Sequence, residues 1–215
     1  VRVHPTSQTL EDADRLRKRY DRRQRDLLRL RDLPCETTDG VRVTLRANIG
    51  SPAEVDVLRE RGAQGVGLYR TEYLFLNRSD LPTEQEHLDV YRRVMEGVSP
   101  DTAVFRTFDL GGDVTARTLG SAEEANPVLG LRAIRLALAK TDALRTQLRA
   151  LLRASAQGRL GILHPFISGL EEVRSVNALM RDLAAELEAE GVRLPELPPV
   201  GVLVETPAAA LTADI

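Results

Sequence analysis

Apolar positions along this chain alternate between two rhythms. Short runs rich in valine, isoleucine and leucine occur at residues 65–70, 102–107, 160–163 and 200–204, and between them apolar residues recur at three- and four-residue steps. The short runs predict strands covered on both faces, and the longer segments predict amphipathic helices. Residues 41–48, Val-Arg-Val-Thr-Leu-Arg-Ala-Asn, read as a further strand ahead of these four. Helix starts carry their own chemistry. Ser51-Pro52 sets a cap before a first-turn proline, and Thr83-Glu-Gln-Glu86 has capping-box spacing. Helices are therefore expected over 51–62, 83–97, 129–139, 142–156 and 170–190, with another opening at Thr206-Pro207. A long glycine-containing stretch fills 109–127.

Residues 9–33 differ from the rest. They are strongly charged, yet Ala13, Leu16, Tyr20, Leu27 and Leu30 keep helical spacing, which predicts one helix with a narrow apolar seam and a solvated, arginine-rich face. Pro34 follows and Asp39-Gly40 supplies a turn, so this helix reads as a connector.

Strand and helix then alternate, a pattern that specifies a parallel sheet with right-handed crossovers. An eight-fold barrel normally takes about 250 residues. The stretch from Val41 to Ile215 carries five strand signals, and its last helix has barely begun. The expected class is α/β: a partial TIM (β/α)8 barrel of about five βα units, cut off partway round and preceded by a charged linker helix. A complete open sheet is the structural alternative, but nothing after Glu205 would cover its final strand.

Composition narrows the function classes. At 215 residues, with 42% hydrophobic and 29% charged residues, the chain can bury a sizeable core as a water-soluble protein. No apolar run approaches the roughly 20 residues of a membrane span, and residues 1–5 lack a signal peptide's apolar segment, so a cytoplasmic location is expected. Cys35 is the sole cysteine, which leaves no disulfide framework and no cysteine metal site. The net charge of -2 points to no acidic polymer. Of the 30 basic residues only Lys18 and Lys140 are lysine, a bias attributed to codon usage, and no basic patch is interleaved with aromatics. Neither nucleic acid nor a membrane is expected as a partner.

The candidate chemistry sits at strand ends. Arg70 and Arg106 each close an apolar run and precede threonine, and Glu205 closes a third run before Thr206-Pro207. In a parallel sheet all three reach the edge where such enzymes gather their active sites. Guanidiniums offer paired donors to phosphate or carboxylate oxygens, whereas magnesium takes one or two carboxylates with substrate oxygens and water. Each arginine also has an ion-pair reading, Arg70 with Glu72 or Arg106 with Asp109. Glu205 likewise has a reading as a helix-terminal charge. Asp109-Leu-Gly-Gly-Asp113 offers backbone amides to phosphate and a carboxylate to orient Arg106, and Arg132 and Arg135 follow Asn126-Pro127. Among the histidines only His164 shares the edge, and it reads as a structural strand-end residue. Cys35 has no activating surroundings.

The stretches Gly65-Val-Gly-Leu-Tyr-Arg-Thr-Glu-Tyr-Leu-Phe75, Leu81-Pro-Thr-Glu-Gln-Glu86, Arg106-Thr-Phe-Asp-Leu-Gly-Gly-Asp113, Asn126-Pro-Val-Leu-Gly-Leu-Arg-Ala-Ile-Arg135 and Val204-Glu-Thr-Pro-Ala-Ala-Ala210 resemble one family. It is the phosphoenolpyruvate-binding barrel of enzyme I, the phosphoenolpyruvate-protein phosphotransferase of the bacterial sugar phosphotransferase system. Pyruvate phosphate dikinase and phosphoenolpyruvate synthase have related barrels and are the alternative, beside a noncatalytic binding or regulatory fragment. The resemblance implies the end of a phosphohistidine domain at 1–8, a helical linker at 9–40 and the first part of the barrel at 41–215. It implies that Arg70 and Arg106 bind the phosphate and carboxylate of phosphoenolpyruvate (PEP), that Arg132 adds a phosphoryl contact, and that Glu205 is one Mg²⁺ ligand. The phosphoryl group would pass to a histidine on the preceding domain and then to the carrier HPr, in a protein that dimerises through its barrel. By the same resemblance a second metal carboxylate, a further arginine and the proton-donating cysteine lie beyond Ile215, so no catalytic residue is assigned within the chain and inactivity in isolation is expected. Val114 departs from the family's usual lysine after Gly-Gly-Asp. The sugar and nitrogen branches of the system remain equally open.

Overall fold

The two rhythms fold into a single parallel sheet backed by helices. The computed structural model describes residues 3–76, 78, 80–110, 126, 130–194 and 196–215. Its strands are β1 (Ala47–Ile49), β2 (Val66–Arg70), β3 (Ala103–Arg106), β4 (Leu160–His164) and β5 (Val200–Val202). Among the described residues the α-helices are α1 (Ser7–Leu28), α2 (Val55–Glu60), α3 (Glu84–Val98), α4 (Ala133–Ala139), α5 (Thr141–Ser155), α6 (Leu170–Ala189) and α7 (Pro207–Leu211). The strands lie in sequence order, and every neighbouring pair is parallel. A doubly wound sheet reverses its order at a switch point, whereas a barrel wall does not. With one crossover hand, sequential order also gathers the helices on one face. This is the wall of a partial (β/α) barrel.

Burial follows the pleat. Phe105 of β3 meets Tyr91 of α3 with ring centroids 4.7 Å apart, which fixes the helix-facing side. Val66, Tyr69, Ala103, Leu160 and Ile162 are buried, whereas Val104 and Leu163, at alternate positions, are only half-buried. Aromatic residues are scarce, four phenylalanines and four tyrosines, but five of the eight share one buried stack. Tyr69, Phe105 and Tyr91 continue through His87 to Phe75 and Phe108 at centroid separations of 4.7–5.7 Å. Each such pair contributes about 0.5–1.5 kcal/mol beyond its buried area. The stack therefore stiffens the sheet beneath the ends of β2 and β3.

Arginine's abundance has a structural use here. Arg145, Arg149 and Arg153 recur every four residues along α5. Arg149 and Arg153 hold Glu84 of α3 at 2.7 and 2.6 Å, while Arg145 reaches Glu186 of α6 at 2.7 Å and Arg149 reaches Glu190 at 2.6 Å. The opposite face of α5 buries Leu144, Leu148, Leu151 and Leu152 with one polar residue, Gln147. Close approach elsewhere demands glycine: a Cβ on Gly62, whose φ is +81°, would lie 2.6 Å from the Arg31 carbonyl of the connector.

Several boundaries differ from the sequence expectation. The first strand is confined to Ala47–Ile49, because Val41, Val43 and Leu45 lie exposed on an extended segment whose isolated bridge, Glu36 with Arg42, is antiparallel. Thr6 caps α1 by accepting from the Thr9 amide, so the helix starts at Ser7, and it stops at Leu28 rather than near Leu33. None of its residues is buried, so the apolar seam has no cover among the described residues. Ser51 opens a 3-10 turn at Pro52–Glu54 before α2, and α4 begins only at Ala133 because Arg132 is extended. On β5, the expected extension to Val204 survives as one hydrogen bond, Leu203 N–H to the His164 carbonyl at 2.9 Å.

Candidate functional site

Arg70 and Arg106 are the last residues of β2 and β3 and are register partners across the pair. The sheet thus brings them to one edge, as their equivalent positions in successive units require. Their surroundings differ. Arg106 is 14% exposed at its side chain and donates from Nη2 to Glu72 Oε1 at 3.0 Å, with Asp109 Oδ2 3.7 Å from Nη1. Arg70 is exposed, and its side chain has no hydrogen bond or ion pair among the described residues. Its guanidinium lies beside Gly50, in the turn after β1. Glu54 sits in the same turn and is held below the usual carboxylate range chiefly by the Gly50 and Ser51 amides, with Arg70's charge a lesser cause.

Of the two ion pairs read from the sequence, Arg106 with Asp109 is present at 3.7 Å and, among the described residues, Arg70 with Glu72 is absent. Glu72 serves Arg106 rather than Arg70, and its Oε1 also accepts the Asp109 amide at 2.7 Å. Asp109 in turn accepts from Arg132, at 2.9 Å from Nη2 and 3.3 Å from Nε. Asp109 therefore bridges Arg106 and Arg132, and four side chains from the connections after β2 and β3 form one chain: Glu72, Arg106, Asp109, Arg132. Two carboxylates balance two guanidiniums in it. Arg70 stands outside this chain, with the Glu54 carboxylate as a nearby counter-charge and no ion pair among the described residues.

Phe166, in the loop after β4, connects this chain to Glu205. Arg132 and Arg135 each place a guanidinium carbon 5.1 Å from its ring centroid, within cation–π range. Its backbone N–H donates to Glu205 Oε1 at 2.7 Å, and its φ is +57°, a conformation that side chains other than glycine seldom take. Such a residue persists only where its surroundings hold it. Thr206, which caps α7, adds a bond to the Ile167 carbonyl at 2.7 Å, so the loops after β4 and β5 are fastened together.

Beneath the arginines lies a buried polar network. Gln147 Oε1 accepts the Phe108 amide at 3.0 Å, and its Nε2 donates to Thr71 Oγ1 at 3.0 Å and to the Tyr91 hydroxyl at 3.2 Å. Thr71 donates onward to the Arg106 carbonyl at 2.8 Å, and the Tyr91 hydroxyl lies 2.9 Å from His87 Nδ1. His164 is fully buried with Nδ1 3.1 Å from Thr107 Oγ1. Burial depresses both His87 and His164 to about 4, so each is neutral near pH 7 and is shut away from solvent. His164 is thus the structural strand-end residue that the sequence implied.

Phe166 and Gln147 escaped the sequence reading of the site, and Glu72 entered it only as a partner for Arg70 rather than Arg106. Gln147 left a faint signal, a polar residue on the leucine face of a helix, whereas Phe166 left none. Gly111, Gly112, Asp113, Val114 and Pro127 lie outside the described residues, and Asn126 is exposed. Among the described residues no three His, Cys, Asp or Glu side chains converge as a metal cage, so Glu205 is a single carboxylate donor with one oxygen engaged by Phe166. A hard cation fits that oxygen chemistry provided that substrate and water complete its shell. A groove of about 720 Å³ between the connector and Gly62 lies at the opposite edge of the sheet, away from this chemistry. No helix among the described residues is long and apolar enough to cross a membrane.

Comparison with known proteins meets this geometry from outside. Residues 24–215 match the family described as "PEP-utilising enzyme, PEP-binding domain". The chain belongs to this family. The chain is also 43% identical over 213 residues, 99% of its length, to a phosphoenolpyruvate-protein phosphotransferase of Haemophilus influenzae. Namesakes from Staphylococcus aureus and Staphylococcus carnosus are 43% and 40% identical over the whole chain. The domain spans only 37–38% of the length of these relatives. It is thus similar to one portion of an enzyme of that kind.

Proposed function

We propose that this chain is the PEP-binding portion of a phosphoenolpyruvate-protein phosphotransferase acting in the cytoplasm. The observation that carries the reading is the pairing of Arg70, exposed and outside any ion pair among the described residues, with Arg106 at the end of the adjacent strand. PEP carries a phosphate and a carboxylate, each a match for a guanidinium fork. Arg70 and Arg106 take these groups, and Arg132, held by Asp109, supplies a further contact to the phosphoryl oxygens. Asp109 and Glu72 aim the two inner arginines before substrate arrives, so little reorganisation is needed on binding. Glu205 holds Mg²⁺, whose charge, when it is bound, adds to that of the arginines in offsetting the phosphoryl group's negative charge.

No phosphate acceptor is accessible near this edge among the described residues. His87 and His164 are buried, and His4 lies at the far end of the connector. The phosphoryl group therefore goes to a histidine elsewhere in the longer protein and from there to HPr, in a homodimer serving a phosphotransferase system, and the 215-residue chain alone is a binder without turnover. Phosphorus NMR of PEP tests both halves. Adding the chain with Mg²⁺ should broaden the PEP resonance saturably while no pyruvate forms and the protein gains no phosphate. An unbroadened line would count against the substrate, and phosphorylation of the chain would count against its inactivity.

A further inference from the structure

The end of β2 and the end of β3 each carry one of the two arginines; the sheet pairs them at Arg70 and Arg106, and past that pair the two loops are held together only by groups that span them. Glu72 is one such span. The buried network is a second, and it converges on a side chain that belongs to neither strand.

Gln147 projects from α5 and is wholly buried, with 0% of its surface exposed. A primary amide has one acceptor oxygen and two N–H donors, and all three are used. The oxygen accepts from Phe108, two residues past Arg106, and one N–H goes to Thr71, the residue after Arg70. Thr71 passes its own hydrogen to the Arg106 carbonyl, and the second Gln147 N–H goes to Tyr91. That leaves the Tyr91 hydroxyl hydrogen for Nδ1 of the neutral His87. Every side-chain donor of Gln147, Thr71 and Tyr91 is thereby directed, and the amide cannot flip without breaking three bonds at once. The helix that bears it is pinned on its other face by the arginine clamp to Glu84, Glu186 and Glu190. Position is transmitted from a rigid layer of three helices to both arginine-bearing loops.

We infer that Gln147 is a positioning residue for PEP: by bonding Thr71 and Phe108 together it sets the separation of the Arg70 and Arg106 guanidiniums. The inference rests on the reading of those arginines as the PEP site. Gln147 touches no substrate. Misplacement of a binding group by about 1 Å is enough to cost on the order of 100-fold in function, so loss of such a brace is felt at the site rather than only in the fold.

The test compares the full 215-residue chain with Gln147→Met, which keeps volume and helix propensity but offers neither donor nor acceptor, and with Thr71→Val, which removes only the β2 side of the link. Two readouts are followed: amide hydrogen exchange, and PEP affinity by calorimetry with Mg²⁺. In Gln147→Met the Phe108 and Asp109 amides should exchange at least about tenfold faster while the amides of Leu148 and Leu151 keep their protection. The PEP dissociation constant should rise by about tenfold or more. Thr71→Val should move affinity in the same direction and leave the Phe108 amide protected. If both variants bind PEP within twofold of the parent chain, or if Phe108 exchange is unchanged in Gln147→Met, the positioning role is overturned. Absence of PEP binding by the parent chain would instead defeat the substrate reading, and the exchange arm would still decide whether Gln147 braces the two loops. Should Gln147→Met fail to fold, Thr71→Val alone decides, with unchanged affinity overturning the role.

Discussion

Arg70 and Arg106 are register partners of the same residue type, yet their surroundings predict opposite effects on stability when each is replaced by alanine. Arg106 is 14% exposed and faces Glu72, itself 19% exposed, at 3.0 Å. Removing the guanidinium leaves that carboxylate half-desolvated, with only the Asp109 amide still donating to it. Breaking one side of a buried pair costs 3–5 kcal/mol, and partial exposure places this case near the lower end, about 3 kcal/mol. For a domain of this size that lowers the melting temperature by roughly 6–12 °C. Arg70 has no such partner among the described residues, and its loss should stay within about 0.5 kcal/mol. Affinity should fall in both variants. One charge-assisted contact contributes about 2 kcal/mol, roughly a 30-fold rise in the PEP dissociation constant. Thermal unfolding followed by circular dichroism, with PEP titrations below the lower melting temperature, separates the two effects. The reasoning is refuted if Arg70→Ala destabilises as much as Arg106→Ala, or if Arg106→Ala melts with the parent chain.

Other outcomes follow from the same geometry. His87 and His164 sit near 4 in the folded chain against a usual 6.5, so the unfolded chain binds their protons first; the stability from keeping them neutral is complete above pH 6.5 and is lost between pH 6.5 and 4. Each should contribute about 3 kcal/mol to that loss, and urea titrations across this window should show a shallower decline in His87→Gln or His164→Gln. Burial would raise Glu84, but its bonds to Arg149 and Arg153 outweigh this and lower it, so its contribution persists above the ordinary carboxylate range and disappears only in stronger acid. Glu84→Gln should cost about 1–3 kcal/mol in denaturant midpoints at pH 7 and almost nothing once the carboxylate is protonated. Glu205→Gln should leave PEP binding without metal unchanged and abolish its enhancement by Mg²⁺, as read by calorimetry with and without EDTA.

Much of the fold was legible in the chain because burial and period coincide. Tyr69, Phe105 and Ile162 sit on strands whose helix-facing side is closed by leucine-rich helices, and such runs announce themselves. Residues 41–46 show the converse, an apolar alternation that reads as a strand but stays exposed because nothing among the described residues covers it. Strand-end position singled out Arg70 and Arg106 as candidates, and the sheet places them side by side at its carboxyl edge, whereas Glu205 lies in the loop past β5. The partner of Glu72 was beyond reach. Whether Glu72 turns to Arg70 or to Arg106 depends on the 3-10 turn that follows β2, and Phe166 reaches Arg132 only through a left-handed residue that no sequence period encodes. Gln147 lies 76 residues from Thr71, and only the packing of α5 on α3 brings the two together.

The proposed function requires the carboxyl edge of β2 and β3 to bind PEP through the exposed Arg70. Calorimetric titration of the chain and of Arg70→Ala with PEP and Mg²⁺ tests this most directly, because Arg70 can be removed without disturbing the fold. A saturable heat in the parent chain, with binding weakened about 30-fold in Arg70→Ala at matched melting temperatures, is the expected result. Superimposable isotherms, or no heat from either protein, would contradict it.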